Sequence, residues 1–340
     1  MGVTQAEGAS LVEASYKPFT TKAALELANP PTLVASTISV LVGGAAAVAL
    51  SPEVLQVSPL RSVGIWVLMF ITSVLMQAAV NTFNDYADFN TGLDTAETIL
   101  DETDASIVYN EINPKSARNF GIALLACAAI FGLVVVLLTG WPLLIVGLSA
   151  AFVVVWYSIG PKPISYLPLG EVMAGVVLGG LIVCATYYAM TQTFSPILLA
   201  VGVPPTITIA LIMQTNNTCD IERDIAAGRR TLPVLIGRER SIGVAKMLAR
   251  ATPVYMVIWV AVFDVVIWRS FLLLFMDALF AVGLYVLLRK RMERIGTGPY
   301  DLINRAVMMK NINDSCRSVN LCWVLILLTC WLVGDLYFVV

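Results

Sequence analysis

"VGIWVLMFITSVLMQAAVNTFNDYADFNTGLD", residues 63 to 94, runs through about twenty apolar positions and then sets Asn84, Asp85, Asp88 and Asp94 close together. An apolar run of that length matches the ~20 residues a helix needs to cross ~30 Å of hydrocarbon. The whole chain repeats the pattern. Its 340 residues are 58% hydrophobic and 13% charged, far below the ~25% charged of a soluble domain. Helices satisfy their own backbone hydrogen bonds in lipid, and these segments are too long and uniform for alternating barrel strands. The fold class expected is therefore an all-α integral membrane protein, a bundle of transmembrane helices around an apolar cavity with a polar cytoplasmic mouth.

Hydropathy marks nine spans, at residues 30–50, 63–83, 119–138, 141–159, 168–190, 195–217, 243–263, 266–288 and 319–339. They divide the chain into a segment of residues 1–26 and a nine-helix domain of residues 27–340. The first twenty residues lack the basic start and apolar centre of a signal peptide, so the N-terminus is expected to be retained. Every Lys and Arg except Arg61 and Arg269 falls on one side of this arrangement. The positive-inside rule makes that side cytoplasmic, with the N-terminus inside and the C-terminus outside. The expected location is the cell membrane, multi-pass.

Histidine is absent, which removes imidazole as base or metal ligand. The six cysteines have no CxxC spacing and lie in or beside apolar runs, which reads as packing. Carboxylates and amides remain for chemistry. A second acidic cluster, "QTNNTCDIERDIAAGRR" (214–230), follows the sixth span, on the same side as the first. Asn84 and Asp88 are four apart, as are Asp220 and Asp224, so each helix end offers two oxygen ligands on one face. Oxygen donors without thiolate or imidazole suit a hard divalent cation, Mg²⁺ first, which is commonly shared with substrate phosphates. One DxxxD motif is weak, and two on one membrane face with neighbouring Asn81, Asn84, Asn216 and Asn217 are much stronger. Concentrated negative charge at a membrane surface calls for a positive occupant, and a cation carrying a diphosphate meets that need. The substrate's tail would lie in the bundle.

Basic residues on the same side are candidates for the outer phosphate oxygens: Lys115, Arg118, Lys162, Arg223, Arg229 and Arg230. Lys162 stands alone in its loop between Pro161 and Pro163, which suits a phosphate or acceptor-carboxylate contact. Arg223 falls between the two aspartates and is turned to another helix face. Tyr157, Tyr187 and Tyr188 could offer an aromatic face to a positive charge, although membrane aromatics more often serve as anchors or packing. The stretch 95–111 holds five carboxylates and no basic residue. Either a clasp on phosphate is made mainly by Lys115, Arg118 and the second loop, or this stretch is an atypical lid.

"NDYADFNTGLD" (84–94) and "NNTCDIERDIAAGRRTLPVLIG" (216–237) resemble the two aspartate motifs of the UbiA prenyltransferase superfamily. With "YSIGPKPISYLPLGEVMAGVVLGG" (157–180), they look most like its 1,4-dihydroxy-2-naphthoate polyprenyltransferase (MenA) branch. The resemblance implies Mg²⁺ at Asn84, Asp88, Asp220 and Asp224, with Lys162 counted among the catalytic positions. Asp85, Asp94, Asn216, Asn217, Tyr157 and the basic residues above would contact substrate. The implied reaction moves a polyprenyl group from polyprenyl diphosphate to 1,4-dihydroxy-2-naphthoate with loss of CO₂, giving demethylmenaquinol in menaquinone biosynthesis. The implied partners are those two substrates and membrane lipid, with no nucleic acid, and oligomeric state unassigned. Two rivals stand beside this reading. One is a relative acting on 4-hydroxybenzoate, homogentisate, a chlorophyllide or haem; the other is a divalent-cation transporter, disfavoured because the acidic residues gather at one face.

Overall fold

The structure, a computed structural model, describes residues 16–95, 105–263, 279, 282–283, 286, 295 and 298–338. Most of the eighth predicted span and most of the acidic stretch 95–111 lie outside them. Among the described residues all regular structure is helical apart from one isolated bridge.

Helix α1 (Thr21–Ala28) is capped by the Thr20 hydroxyl, which accepts from Ala23 N–H at 3.2 Å. It ends on Asn29 in a left-handed conformation (φ 50°). A 3₁₀ turn, Pro30–Leu33, then leads into α2 (Val34–Leu50). Gln77 of α3 (Pro59–Thr91) fixes this junction: its Oε1 accepts from Ser36 N–H at 2.9 Å and its Nε2 donates to Thr32 O at 2.7 Å. Asn81, one turn on, donates to Ala28 O and Thr32 Oγ1 at 2.8 and 2.9 Å.

Helix α4 (Pro114–Thr139) starts on an Asn113 cap with Pro114 in the first turn, and α5 (Pro142–Ser158) starts on Pro142 in the same way. Helix α6 (Gly170–Thr191) contains a π-helical stretch, Gly175–Leu181. Helix α7 (Val203–Cys219) follows the short turn Ile197–Val201, and α8 (Ile221–Ala226) follows it across a break at Asp220. The last two are α9 (Arg238–Phe263) and α10 (Arg305–Phe338).

Burial separates a centre from a periphery. In the most apolar part of the Pro30–Leu50 segment 72% of residues are buried, against 17% in α4. The central helix α2 can sit there because its neighbours approach closely. A Cβ on Gly43 would lie 2.7 Å from Val183 O of α6. On the outside, Leu137, Leu199 and Ile130 are more than 60% exposed, an apolar coat that suits hydrocarbon rather than water. Among the described residues five segments are long and apolar enough to cross a membrane, and Pro142–Ser158 is a shorter apolar helix. Helices α3 and α10 run past the hydropathy-defined spans, α3 to Thr91 and α10 back to Arg305. At 1.5 Å per residue each is ~50 Å long, more than the hydrocarbon requires. Their polar extensions wall the site.

Candidate active site

The tip of α3, the α7–α8 break and the start of α10 meet. Helix α3 ends because Gly92 takes a left-handed conformation (φ 73°), with Gly92 N–H bonded to Phe89 O at 3.2 Å and Leu93 N–H to Asp88 O at 3.0 Å. That is the glycine-dependent helix ending expected of "NTGLD". It folds Asp94 back beside Asp88. At the second motif Asp220 adopts φ −96° and ψ 11°, leaving the helix while Asp224 N–H still bonds to Asp220 O at 2.8 Å.

Asp88, Asp94, Asp220 and Asp224 are all buried. Asn84 Nδ2 donates to Asp88 Oδ2 at 3.0 Å, and the Ser158 hydroxyl of α5 donates to Asn84 Oδ1 at 3.2 Å. Cations bind the two motifs together. Arg229 forms an ion pair with Asp88, lies 3.7 Å from Asp224 Oδ1 and stacks over Tyr166 at 5.0 Å from the ring centre. Arg223 Nη2 reaches Asp94 Oδ1 at 2.7 Å and its Nη1 lies 3.9 Å from Asp220 Oδ1. Arg305 of α10 donates to Asp220 Oδ2 at 3.0 Å and to Asn216 Oδ1 at 2.6 Å. Burial pushes the Asp224 carboxyl up to about 7, and Arg229 opposes that shift.

Two expectations change here. Arg223 does not face away from the cluster: the break at Asp220 and the length of the arginine bring it onto Asp94 and Asp220. Arg305 was legible only as an orientation charge, yet it holds the second motif. Two other participants escaped the sequence reading. Buried Glu171 accepts through Oε1 from Asn217 Nδ2 at 2.8 Å and from Leu232 N–H at 3.2 Å, tying α6 to both ends of the second motif. Thr231 Oγ1 donates to Asp224 Oδ2 at 3.0 Å. The signal for Glu171 was its place in an otherwise apolar span, where a carboxylate requires a partner.

A cavity of about 820 Å³ opens beside the cluster, lined by Asn84, Asp85, Tyr157, Asn216 and Arg305 among others. It adjoins an apolar chamber of about 360 Å³ lined by Met69, Met76, Leu133, Leu144 and Leu148. Gln77, Val80, Val154, Val177 and Leu178 line both. Tyr157 is buried, but Lys162 is exposed in its loop, where its carbonyl accepts from Trp156 Nε1 at 3.2 Å, and it does not line this cavity. Arg118 bonds to Asn119 on the exposed side of α4 and borders a different groove, with Ile122 and Val155. Lys115 is exposed at the start of α4, and Arg230 is exposed with its N–H bonded to Tyr166 O at 3.0 Å.

The donor set can be tested against a divalent cation. Among the described residues no group of three or more Asp, Glu, His or Cys forms a ready cage. Mg²⁺ rarely uses one: it keeps waters and takes one or two carboxylates plus substrate phosphates. A single guanidinium, that of Arg229, already reaches a carboxylate of each motif. The two motifs share one cation here, the Arg229 guanidinium, and all four expected ligands are oxygen donors.

The UbiA prenyltransferase family pattern matches residues 33–296, which include both motifs. The 1,4-dihydroxy-2-naphthoate octaprenyltransferase of Bacillus subtilis (strain 168) is 31% identical over 217 residues, 64% of this chain and 67% of that protein. The 2-carboxy-1,4-naphthoquinone phytyltransferase of Synechocystis sp. is 25% identical over 229 residues, 66% of this chain and 69% of that one. Among solved structures, a UbiA homolog from Archaeoglobus fulgidus bound to GPP and Mg²⁺ matches with a TM-score of 0.58 at 17% identity, over 90% of this chain and 99% of that one. That likeness speaks for the fold. Paired aspartate motifs over a cavity, on this fold and within this sequence pattern, lead to one statement: the chain belongs to the UbiA prenyltransferase family.

Proposed function

We propose that this chain transfers a polyprenyl group from polyprenyl diphosphate to 1,4-dihydroxy-2-naphthoate. The C–O bond to diphosphate breaks, a bond forms to the ring carbon bearing the carboxylate, and that carboxylate leaves as CO₂, returning its electron pair to the ring. The observation that carries the reading is the meeting of both carboxylate motifs over a cavity continuous in its lining with an apolar chamber. The polar end suits a diphosphate and the apolar end a polyprenyl tail. The Bacillus and Synechocystis relatives, named for naphthalene-ring acceptors, support this acceptor class.

Asn84, Asp88, Asp220 and Asp224 would hold Mg²⁺, which when bound supplies positive charge against the departing diphosphate. Arg223, Arg229 and Arg305 neutralise the carboxylates in the structure described, and each is long enough to turn a guanidinium toward phosphate oxygens. Asp85 and Asn216 line the cavity, Asp94 orients Arg223, and Asn217 is held by Glu171. Tyr157 is buried in the cavity wall, where its ring can face an allylic carbon gaining positive charge. The apolar walls keep water from that carbon. Lys162, Lys115, Arg118 and Arg230 sit on exposed segments and would join only by closing over the site. The setting is a nine-helix domain of residues 27–340 in the cell membrane, with residues 1–26 and the site on the cytoplasmic side.

A cation transporter finds little support, because the chamber adjoining the cavity is lined almost wholly by apolar side chains. The test is incubation of the purified chain in liposomes with labelled octaprenyl diphosphate, Mg²⁺ and separate acceptors. The proposal expects a decarboxylated prenyl naphthalenediol from 1,4-dihydroxy-2-naphthoate and no product with excess EDTA. Product from 4-hydroxybenzoate or homogentisate alone would replace the acceptor.

A further inference from the structure

The large cavity has a polar wall that neither aspartate motif supplies. Arg305, Met309, Asn313 and Arg317 recur every four residues at the start of α10 and all line it, with Lys310 and Asp314 beside them. Four-residue spacing makes this one stripe of the helix. Its cations differ in their commitments. Arg305 is held by Asp220 and Asn216, and Arg317 pairs with Asp314. Lys310 makes no ion pair among the described residues and is exposed at the cavity.

Three residues along, Asn313 Oδ1 is buried and accepts no hydrogen bond. A buried carbonyl oxygen without a donor is costly and calls for one. The wall thus offers an ammonium and, on the adjacent position of the same helix, an unsatisfied acceptor. Asp314, one helical turn from Lys310, also lines the cavity, with its charge taken up by Arg317. A ligand that answers both groups carries an anionic group and a hydroxyl donor side by side on a flat ring. An aromatic ring with ortho carboxylate and hydroxyl substituents has that pattern.

We infer that the start of α10 is the acceptor-recognition wall. Lys310 takes the acceptor's carboxylate, Asn313 Oδ1 accepts the neighbouring hydroxyl hydrogen, and Met309 lies under the ring. This rests on the hydroxynaphthoate acceptor proposed above. It makes Lys310 and Asn313 specificity-determining residues, outside both aspartate motifs.

Equilibrium binding to the purified full chain tests it, with three probes: 1-hydroxy-2-naphthoate, 1-naphthol, and the unreactive geranyl thiodiphosphate with Mg²⁺. Lys310→Met should weaken 1-hydroxy-2-naphthoate about tenfold or more, as loss of a charge-assisted contact does. The same variant should bind 1-naphthol and the thiodiphosphate like the parent chain, which also reports an intact fold. Lys310→Arg should stay within about threefold of the parent, since the charge is retained. Asn313→Leu should weaken both hydroxylated rings and spare the thiodiphosphate. Unchanged 1-hydroxy-2-naphthoate binding in Lys310→Met overturns the inference alone, as does equal loss of all three probes. Failure of the parent chain to bind 1-hydroxy-2-naphthoate overturns it together with the proposed acceptor.

Discussion

Asp88 and Asp224 belong to motifs more than a hundred residues apart, yet Arg229 touches both. A buried carboxylate tolerates its charge only beside a cation, so the arginines show where positive charge must reside. Replacing Asp88 or Asp220 by Asn keeps size but removes a ligand charge and one accepting oxygen. Either change should lower prenyl transfer by about 10² or more, on the scale of losing one transition-state contact. Size-exclusion elution and circular dichroism should stay those of the parent. Near-normal turnover would remove that residue from the metal set. Glu171 makes a separate case. Glu171→Ala would strand Asn217 Nδ2 and Leu232 N–H, at about 1–3 kcal/mol for each unsatisfied group. Its thermal midpoint should fall clearly, and Glu171→Gln, which keeps the accepting oxygen, should recover most of it. The aspartates were legible because their type and spacing are written in the chain. Arg305 was not, because a hydropathy window starts the last span at 319 and cannot show that the helix begins at Arg305.

Hydropathy marked the runs that apolar helices α2 to α7 occupy, since each must bury or coat itself with apolar side chains over a fixed length. It could not find the features that aim them. The break at Asp220 and the π-helical stretch in α6 depend on packing against other helices, and neither alters the apolar count. The glycines of "GVVLGG" carry the α6–α7 approach: a Cβ on Gly179 would lie 2.5 Å from Thr206 Cα, which is backbone and cannot yield cheaply. Gly64 of α3 faces open space, with nothing within 4 Å of such a Cβ. The two should respond oppositely to alanine. Gly179→Ala should lower the thermal midpoint, while Gly64→Ala should be neutral or stabilise by up to about 1 kcal/mol through helix propensity. Equal responses would show that α6 and α7 are not in such close contact.

At the scale of the molecule, long α3 and α10 carry polar walls beyond the apolar bundle, and the apolar chamber shares part of its lining with the cavity at the site. Tail length should then depend on that chamber. Gly147 lines it and has open space at its Cβ. Gly147→Phe should cut turnover of octaprenyl diphosphate about tenfold, roughly the effect of 1.4 kcal/mol on a barrier, and spare geranyl diphosphate. Equal losses with both would place the tail elsewhere. The central claim is that the tips of α3 and α7–α8 share metal with the substrate's diphosphate. Its most direct measurement is an experimental structure of the full chain with Mn²⁺ and geranyl thiodiphosphate, the metal located by its anomalous signal. Metal should be bound by oxygens of both motifs, Asn84 or Asp88 on one side and Asp220 or Asp224 on the other, bridged by the thiodiphosphate. Metal held by one motif alone, or diphosphate bound away from both, would contradict it.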